Sequence, residues 1–234
     1  MSNYQNGCLI CGQELRYHQA TRLTKCLYCQ GEFETSVTCP NGHYICDACH
    51  GLDAMEVIET FCQTTHSTDP LEIALTLMKN PKLKMHGPEH HFLVPASLMA
   101  AYANETHAGI HSREWLYQAR LRATKVPGGF CGSHGGCGGA IGVGIFVSVV
   151  TGSTPLSTTE WQMSNRATSR ALQQLSDLPG PRCCKRSVYI SILEGIEIAK
   201  DFFDVKLRND TEPVCLFSEM NRQCLKSSCP FYQG

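Results

Sequence analysis

The chain has almost no excess of charge and no long apolar run. Its 234 residues contain 20 Lys and Arg against 21 Asp and Glu, which gives a formal net charge of −1. A non-specific nucleic-acid binder is strongly basic, so we do not expect nucleic acid as a partner. The longest apolar run, residues 140–150, is far shorter than the roughly 20 residues of a membrane-spanning helix, so no membrane segment is expected.

The start of the chain also lacks the features of a secretory signal. Residues 1–6 are polar and show neither a basic segment nor an apolar stretch. We therefore expect a cytoplasmic protein, in a compartment where disulfides are rare. Fifteen cysteines then need another explanation. Since their number is odd, a fully paired disulfide framework is excluded, and metal sites with a few spare thiols are expected.

The cysteines form two groups, with only Cys62 between them. Seven lie within residues 8–49 and seven within residues 131–229. This distribution predicts a small module over residues 1–51, of zinc-ribbon or treble-clef type, and a larger domain over residues 52–234. The larger domain is predicted to be mainly α-helical, because its apolar residues recur at three- and four-residue spacing and strand alternation is scarce.

The helices of the larger domain are predicted from their caps and turns. Expected helices follow Asp69-Pro70, cover residues 95–104 and 112–126, run from Ser157 to about Leu178, and follow Pro181. Ser157 and Glu160 have capping-box spacing, which places Trp161 on the inward face. Ser112 is expected to cap its helix, and Cys62 is expected in the core.

Three Cys-x-x-Cys pairs stand within residues 8–49, a spacing that lets two thiolates bind one ion from a tight turn. One further cysteine and one histidine complete two tetrahedral zinc sites. The predicted ligands are Cys8, Cys11, Cys26, Cys29, Cys39, His43, Cys46 and Cys49. The simplest pairing is sequential, with the first four on one ion and the last four on the other. An interleaved pairing remains open.

Two alternatives to this ligand and metal assignment also remain open. His50 could replace His43 as a ligand, and iron could replace zinc, because thiolates bind both metals. Closed cysteine sites leave no open coordination position. The module is therefore expected to be structural and to present a surface to a protein partner.

A glycine-rich stretch over residues 128–144 contains the next cysteines. If a helix begins near Ala140, then Cys137 and the amides of Gly138 and Gly139 lie at its N-terminus. The helix dipole there favours a thiolate or a bound anion.

The segment Pro181-Arg182-Cys183-Cys184-Lys185-Arg186 is arranged in a similar way. Proline suits the first position of a helix, which would place both cysteines in the first turn beside three cations. Such thiols bind metal or react readily, unless burial outweighs the dipole and the charges. Adjacent cysteines rarely both bind one zinc, so one can be a ligand while the other acts as a nucleophile or carries sulfur.

The tail contributes Cys215, Cys224 and Cys229, and Cys229-Pro230 has the Cys-Pro ending of some ferredoxin cluster ligands. Together these segments predict a [4Fe-4S] cluster. The preferred ligands are Cys137, Cys183 or Cys184, Cys224 and Cys229. A redox-active or sulfur-carrying thiol set, a third zinc ion and inert thiols remain open.

A reactive site is predicted around this cluster. The expected catalytic residues are His134, Cys131 and Lys185, and the expected substrate-binding residues are Arg182, Arg186, Gly138 and Gly139. The predicted function is sulfur transfer or cluster-dependent chemistry on a small anionic substrate. Two alternatives are a zinc-ribbon regulatory protein with a redox- or metal-sensing cysteine site, and an assembly factor that delivers a cluster or sulfur. A structural role for His134 and solvent-exposed positions for the cations remain open. His86, His90 and His91 are expected in a surface turn, and a metal cluster of the three remains open.

Two segments carry a resemblance. The run His-Gly-Gly-Cys-Gly-Gly-Ala-Ile-Gly-Val-Gly-Ile-Phe at residues 134–146 and Gly-Pro-Arg-Cys-Cys-Lys-Arg at residues 180–186 resemble a cysteine-rich domain family of unknown function, associated with methanogens and other strict anaerobes. The resemblance covers most of residues 50–234. By context alone, it implies anaerobic iron-sulfur or sulfur metabolism.

Overall fold

A computed structural model describes residues 7–233, without the side chains of Ile110 and His111. The polar start of the chain, residues 1–6, lies outside this range. The described part contains two strands and nine α-helices. They are β1 (Arg16–Lys25), β2 (Glu32–Thr38), α1 (Asp47–Gly51), α2 (Ala54–Thr64), α3 (Pro70–Met78), α4 (Glu89–Glu105), α5 (Gly109–Ala123), α6 (Phe130–Ser133), α7 (Gly138–Val150), α8 (Thr159–Ser176) and α9 (Cys184–Phe203).

The strands form one antiparallel hairpin in the N-terminal part of the chain. Most of β1 is exposed to solvent, and the pairing is irregular between Tyr17 and Arg22. The hairpin therefore contributes little to the core. Its role is to position the cysteines, because each end of the hairpin leads into turns that contain them.

Helices α4, α7 and α9 form the centre of the larger domain. Helix α4 packs against α2, α3, α5, α7 and α9, and α8 covers α7. Most of α7 is buried, in agreement with its apolar sequence. The prediction of a mainly helical protein is confirmed, and none of the helices in the described range is long and apolar enough to cross a membrane.

Helix α4 begins at Glu89 and contains Pro95, although the sequence predicted a start at Pro95 itself. Proline has no N–H, so it cannot donate to the carbonyl oxygen of His91 one turn earlier. The facing helix approaches at this point: a Cβ on Gly142 would lie 2.8 Å from Pro95 Cδ and 3.1 Å from His91 O. The proline thus lies at a close approach of α7 to α4.

Two other predicted helix starts are wrong. Helix α5 begins at Gly109, and the Ser112 hydroxyl donates to the Gly109 carbonyl instead of capping the helix. Helix α8 begins at Thr159 without a side-chain cap, because the Ser157 hydroxyl accepts from the Thr154 N–H in the preceding turn. Trp161, expected on the inward face, is 51% exposed.

Two predicted features of the helical part are confirmed. The Asp69 carboxylate caps α3 by accepting from the N–H groups of Leu71 at 2.9 Å and Glu72 at 3.2 Å, and Pro70 is the first helical residue. Cys62 is buried, and burial raises the pKa of its thiol.

The N-terminal part packs on the helical part through Tyr28. This side chain is fully buried, its hydroxyl accepts from Asn80 Nδ2 at 2.8 Å, and its ring meets Phe61 edge to face. The Thr64 hydroxyl donates to the Tyr28 carbonyl at 2.6 Å. The boundary near residue 51 remains a prediction, and the two sides share these buried contacts.

The close approach of α7 to α4 gives a stability prediction. Gly142→Ala should lower the free energy of unfolding by about 1–3 kcal/mol, because the added methyl group meets a proline ring and a backbone carbonyl that cannot move aside. Chemical denaturation measures the change. Gly128→Ala is the control, since a Cβ there meets nothing within 4 Å. Equal stability of the two variants would contradict the packing described here.

Candidate metal centres

The eight predicted ligands of the N-terminal part form two compact groups. One consists of Cys8, Cys11, Cys39 and His43, and the other of Cys26, Cys29, Cys46 and Cys49. Within each group the ligand atoms lie within 4.8 Å of one another. Cys8 and Cys11 thus share one site with Cys39 and His43. Cys26 and Cys29 share the other with Cys46 and Cys49. The sequential pairing is wrong, and the interleaved pairing is the one the fold adopts.

The β-hairpin explains the interleaving. Antiparallel pairing sets Arg16, at the start of β1, opposite Thr38, at the end of β2. The cysteines before β1 therefore meet those just after β2. The turn that contains Cys26 and Cys29 lies at the other end of the hairpin, where Lys25 pairs with Glu32. The chain later returns to this turn, where Leu27 N donates to Tyr44 O at 2.8 Å.

The first two Cys-x-x-Cys pairs have the same local geometry. In the first turn Gly12 N donates to Cys8 O, and in the second Gln30 N donates to Cys26 O. Gly12 and Gln30 both have a positive φ, of 73° and 58°. This conformation closes each turn so that both sulfur atoms face the same side. The third Cys-x-x-Cys pair, Cys46 and Cys49, is held differently, because Cys46 is the N-cap of α1.

The distances suit one tetrahedral ion in each group. Cys11 Sγ lies 3.5 Å from Cys39 Sγ, and Cys29 Sγ lies 3.8 Å from Cys46 Sγ. Four sulfur ligands at about 2.3 Å from zinc would be about 3.8 Å apart. His43 Nδ1 lies 3.7 Å from Cys8 Sγ, so His43 rather than His50 belongs to the group.

The surroundings of the first group favour at least one thiolate. Burial raises the pKa of Cys8 to about 11. At Cys11 hydrogen bonds outweigh the effect of burial, chiefly those from the backbone of Gln13 and from His43, and lower the pKa to about 6. Asn41 also donates to this site, from its backbone N to Cys39 Sγ at 3.3 Å and from Nδ2 to Cys11 Sγ at 3.5 Å.

The second cysteine group is organised by the start of α9. The helix begins at Cys184 and not at Pro181 as predicted; Cys183 is its N-cap, and the Cys183 sulfur accepts from Arg186 N at 3.5 Å. Arg186 Nη2 donates to the carbonyls of Pro179 and Pro181 at 3.0 Å each. These bonds fix the approach of the chain to the helix.

Two pockets adjoin this helix start. The pocket that we call the tail pocket is narrow, about 20 Å³, and its thiols are Cys183, Cys215, Cys224 and Cys229. The second, which we call the loop pocket, has about 260 Å³, and its thiols are Cys131, Cys137, Cys183 and Cys184. The predicted convergence of the glycine loop, the Cys-Cys pair and the tail thus takes place around two pockets.

In the tail pocket, backbone amides donate to three of the four sulfur atoms. Phe217 N donates to Cys215 Sγ and Lys226 N to Cys224 Sγ, both at 3.4 Å, in addition to the Arg186 bond to Cys183. Cys215 interacts electrostatically with the three other thiols. Burial raises the pKa of Cys183 and of Cys215. Cys215 is not among the cluster ligands preferred from the sequence, because its neighbours in the chain form no ligand motif.

The loop pocket lies where the starts of α7 and α9 meet. Cys137 is the N-cap of α7, as its predicted position at a helix start required. A side chain on Gly138 would collide with the His91 ring, and one on Gly139 would lie 3.1 Å from Ser191 Oγ. Both glycines are therefore needed for close packing. Burial raises the pKa of Cys184 to about 11.

His90 and His91 are part of this pocket and not surface-turn residues as predicted. Both lie in the first turn of α4, and His90 is only 2% exposed. Burial lowers the pKa of both imidazoles, that of His90 strongly, so both rings are neutral at pH 7.

The remaining predicted residues take different places. Arg182 and Arg186 line the loop pocket with Gly138 and Gly139. His134 is exposed and stacks on Phe130 at a centroid distance of 4.3 Å, outside the residues that line this pocket. Lys185 points away from it, as its Nζ donates to Leu83 O at 3.2 Å and lies 4.7 Å from the Phe217 ring centre.

The fold and these sites define a cysteine-rich, mainly helical protein with two groups that could each hold a metal ion. The chain belongs to a family of unknown function, DUF5714, whose model matches residues 58–232. No curated protein and no solved structure matched the chain. The predicted membership of a family of unknown function is confirmed, and both C-terminal pockets lie within the matched region. The association with strict anaerobes stays a prediction.

Double substitutions test the interleaved pairing. Cys8→Ser with Cys39→Ser removes two ligands of one group, so about one of the two ions bound by these groups should remain by native mass spectrometry. Cys8→Ser with Cys26→Ser damages both groups and should leave about none. If the sites were sequential, the first double variant would retain about none of these ions and the second would retain about one. Cys62→Ala, outside both groups, is the control that should keep two.

Proposed function

We propose that this chain is a metalloprotein with two structural zinc ions in its N-terminal module and an iron-sulfur cluster in the tail pocket. The observation that carries the proposal is the convergence of four thiols, from the start of α9 and from the tail, on one narrow pocket. The proposed cluster ligands are Cys183, Cys215, Cys224 and Cys229. Relative to the sequence prediction, Cys215 takes the place of Cys137.

The tail pocket has room for only about one water molecule, so a cluster there requires the tail segment to move outward. The lack of a compact ligand group among its thiols favours a cluster over a third zinc ion. Within residues 7–233, groups of ligand atoms compact enough for one ion are found only in the N-terminal module. Ligands of a four-iron cluster bind different corners of a larger body, so their sulfur atoms lie further apart than those around one ion. Amide hydrogen bonds to cysteine sulfur are among the contacts that tune such clusters.

Lys185 provides a second argument. The side chain is 1% exposed, and no carboxylate lies in ion-pair contact with it among the described residues. A buried cation without a countercharge costs several kcal/mol. Lys185 does interact electrostatically with Glu89 and with the thiols of Cys183, Cys184 and Cys215. A four-thiolate cluster carries net negative charge and would supply the compensation.

The proposed activity is sulfur transfer, or cluster-dependent chemistry on a small anionic substrate in the adjoining loop pocket. Arg182 lines this pocket, and the first N–H groups of α7, at Gly138 and Gly139, are not capped by a side chain. Cations and helix N-termini bind anions.

A regulatory role is the second candidate. A pocket of about 320 Å³ lies between the two parts of the chain, and Cys11 and His43 line it together with Lys185 and Phe217. Lys185 and Phe217 therefore connect the tail pocket with one of the N-terminal metal groups. In a sensor, loss of the cluster would alter this contact and the surface that the module presents to a protein partner. A factor that delivers a cluster or sulfur would instead release it to an acceptor.

Metal analysis tests the cluster. Full-length protein purified without oxygen should contain iron and acid-labile sulfide, of which the tail pocket accounts for about four of each. Cys215→Ser should lose this iron and keep the zinc of the N-terminal module. Cys62→Ala should retain both metals. Zinc without iron or sulfide in the wild-type protein would refute the cluster.

Lys185→Met tests the electrostatic argument. Removing a buried positive charge makes an electron harder to add, so the reduction potential should fall, by tens of millivolts as an order of magnitude. Spectroelectrochemistry measures this shift. Lys226→Met is the matched control, because Lys226 is exposed and paired with Glu219, so solvent screens its charge. Equal potentials in both variants would contradict a role for Lys185.

A further inference from the structure

The histidines of the loop pocket leave one ring nitrogen free. His90 Nδ1 lies 3.0 Å from Gly87 O, and His91 Nδ1 lies 3.1 Å from Val126 O. A carbonyl oxygen only accepts, so Nδ1 carries the hydrogen in both rings and Nε2 presents a lone pair. His90 Nε2 is buried and has no hydrogen-bond partner. Such an atom needs an explanation, and a metal ligand is one.

This hydrogen bonding is typical of metal-binding histidines. A histidine ligand usually donates its second ring N–H to a carboxylate or to a backbone carbonyl, which fixes the ring and the tautomer. Two neighbouring residues, His90 and His91, both satisfy this condition and line the same pocket.

Four thiols line the pocket beside these imidazoles, and one of them, Cys183, also lines the tail pocket. Cys184 interacts electrostatically with both Cys137 and Cys131. Gly138, which follows Cys137, leaves space for the His91 ring against the start of α7. Thiolates and neutral imidazoles are the ligands of zinc and of cluster iron. The pocket, of about 260 Å³, is larger than the tail pocket and leaves room for a substrate beside a metal.

We propose that the loop pocket holds a second metal centre of the helical part, in addition to the tail-pocket cluster. Its ligands are the thiolates of Cys131, Cys137 and Cys184 and the free Nε2 of His90 or His91. The centre is separate from the tail pocket and goes beyond the function proposed above. It also explains the adjacent cysteines, because Cys183 serves one centre and Cys184 the other. These ligands are not compact enough for one bare ion, which favours an iron-sulfur centre.

Paired variants of the full chain separate the two centres. Cys184→Ser and Cys137→Ser, purified without oxygen, should lose the metal of the loop pocket and retain that of the tail pocket. Cys215→Ser should do the reverse. Iron with sulfide, or zinc alone, identifies the centre. Wild-type metal content in both Cys184→Ser and Cys137→Ser overturns the proposal. If Cys215→Ser loses nothing while Cys184→Ser loses metal, the tail-pocket cluster fails and the second centre stands.

Alkylation of the wild-type protein avoids any dependence on variants that fold poorly. Cys131 and Cys137 are partly exposed, so iodoacetamide should label them only after a chelator has removed the metal. Equal labelling before and after chelation, read by mass spectrometry, overturns the proposal. His90→Gln and His91→Gln identify the imidazole, since loss of the true ligand should weaken metal affinity at least tenfold. Unchanged affinity in both variants overturns the imidazole ligand.

Discussion

The first turn of α9 is the constraint on which both C-terminal pockets depend. Cys183 is the N-cap and has extended backbone, with φ −139° and ψ 108°, whereas Cys184 is already helical. This change of conformation between neighbours directs one thiol to the tail and the other to the glycine loop. Arg186 holds the incoming chain through two carbonyls, and Lys185 is anchored on the opposite side at Leu83. Cys183 and Arg186 thus line both pockets, Cys184 lines the loop pocket, and Lys185 faces the N-terminal module.

The N-terminal module depends on a comparable constraint, the antiparallel hairpin. Once β1 pairs with β2, the chain can close the metal groups only in interleaved order, because each end of the hairpin collects different cysteines. Little apolar surface is buried in the hairpin itself. Two bound ions would therefore supply cross-links that a small core cannot, and burial of Tyr28 against Phe61 would attach the cross-linked unit to the helices.

The sequence predicted ligand types better than ligand partners. Cys-x-x-Cys spacing is a local property, so all eight N-terminal ligands were found, whereas their pairing required a hairpin that the sequence reading did not place. Cys137 and Cys183 were placed near helix starts from glycine and proline signals. Cys215 reaches the tail pocket through tertiary contact, which no sequence motif indicates. His90 and His91 were misjudged, since α4 begins before its internal proline and buries a segment that resembles a surface turn.

The same geometry links an N-terminal metal group to the tail thiols. Phe217 and Met85 line both the tail pocket and the pocket that faces the N-terminal module, and Lys185 lies beside both. A change of charge among the tail thiols acts directly on the buried ammonium group of Lys185, because screening by water is weak there. The ammonium group in turn contacts the ring that helps to form the module-facing pocket. A cluster in the tail pocket would therefore do more than cross-link the tail, since its charge would affect the contact between the helical part and the N-terminal module.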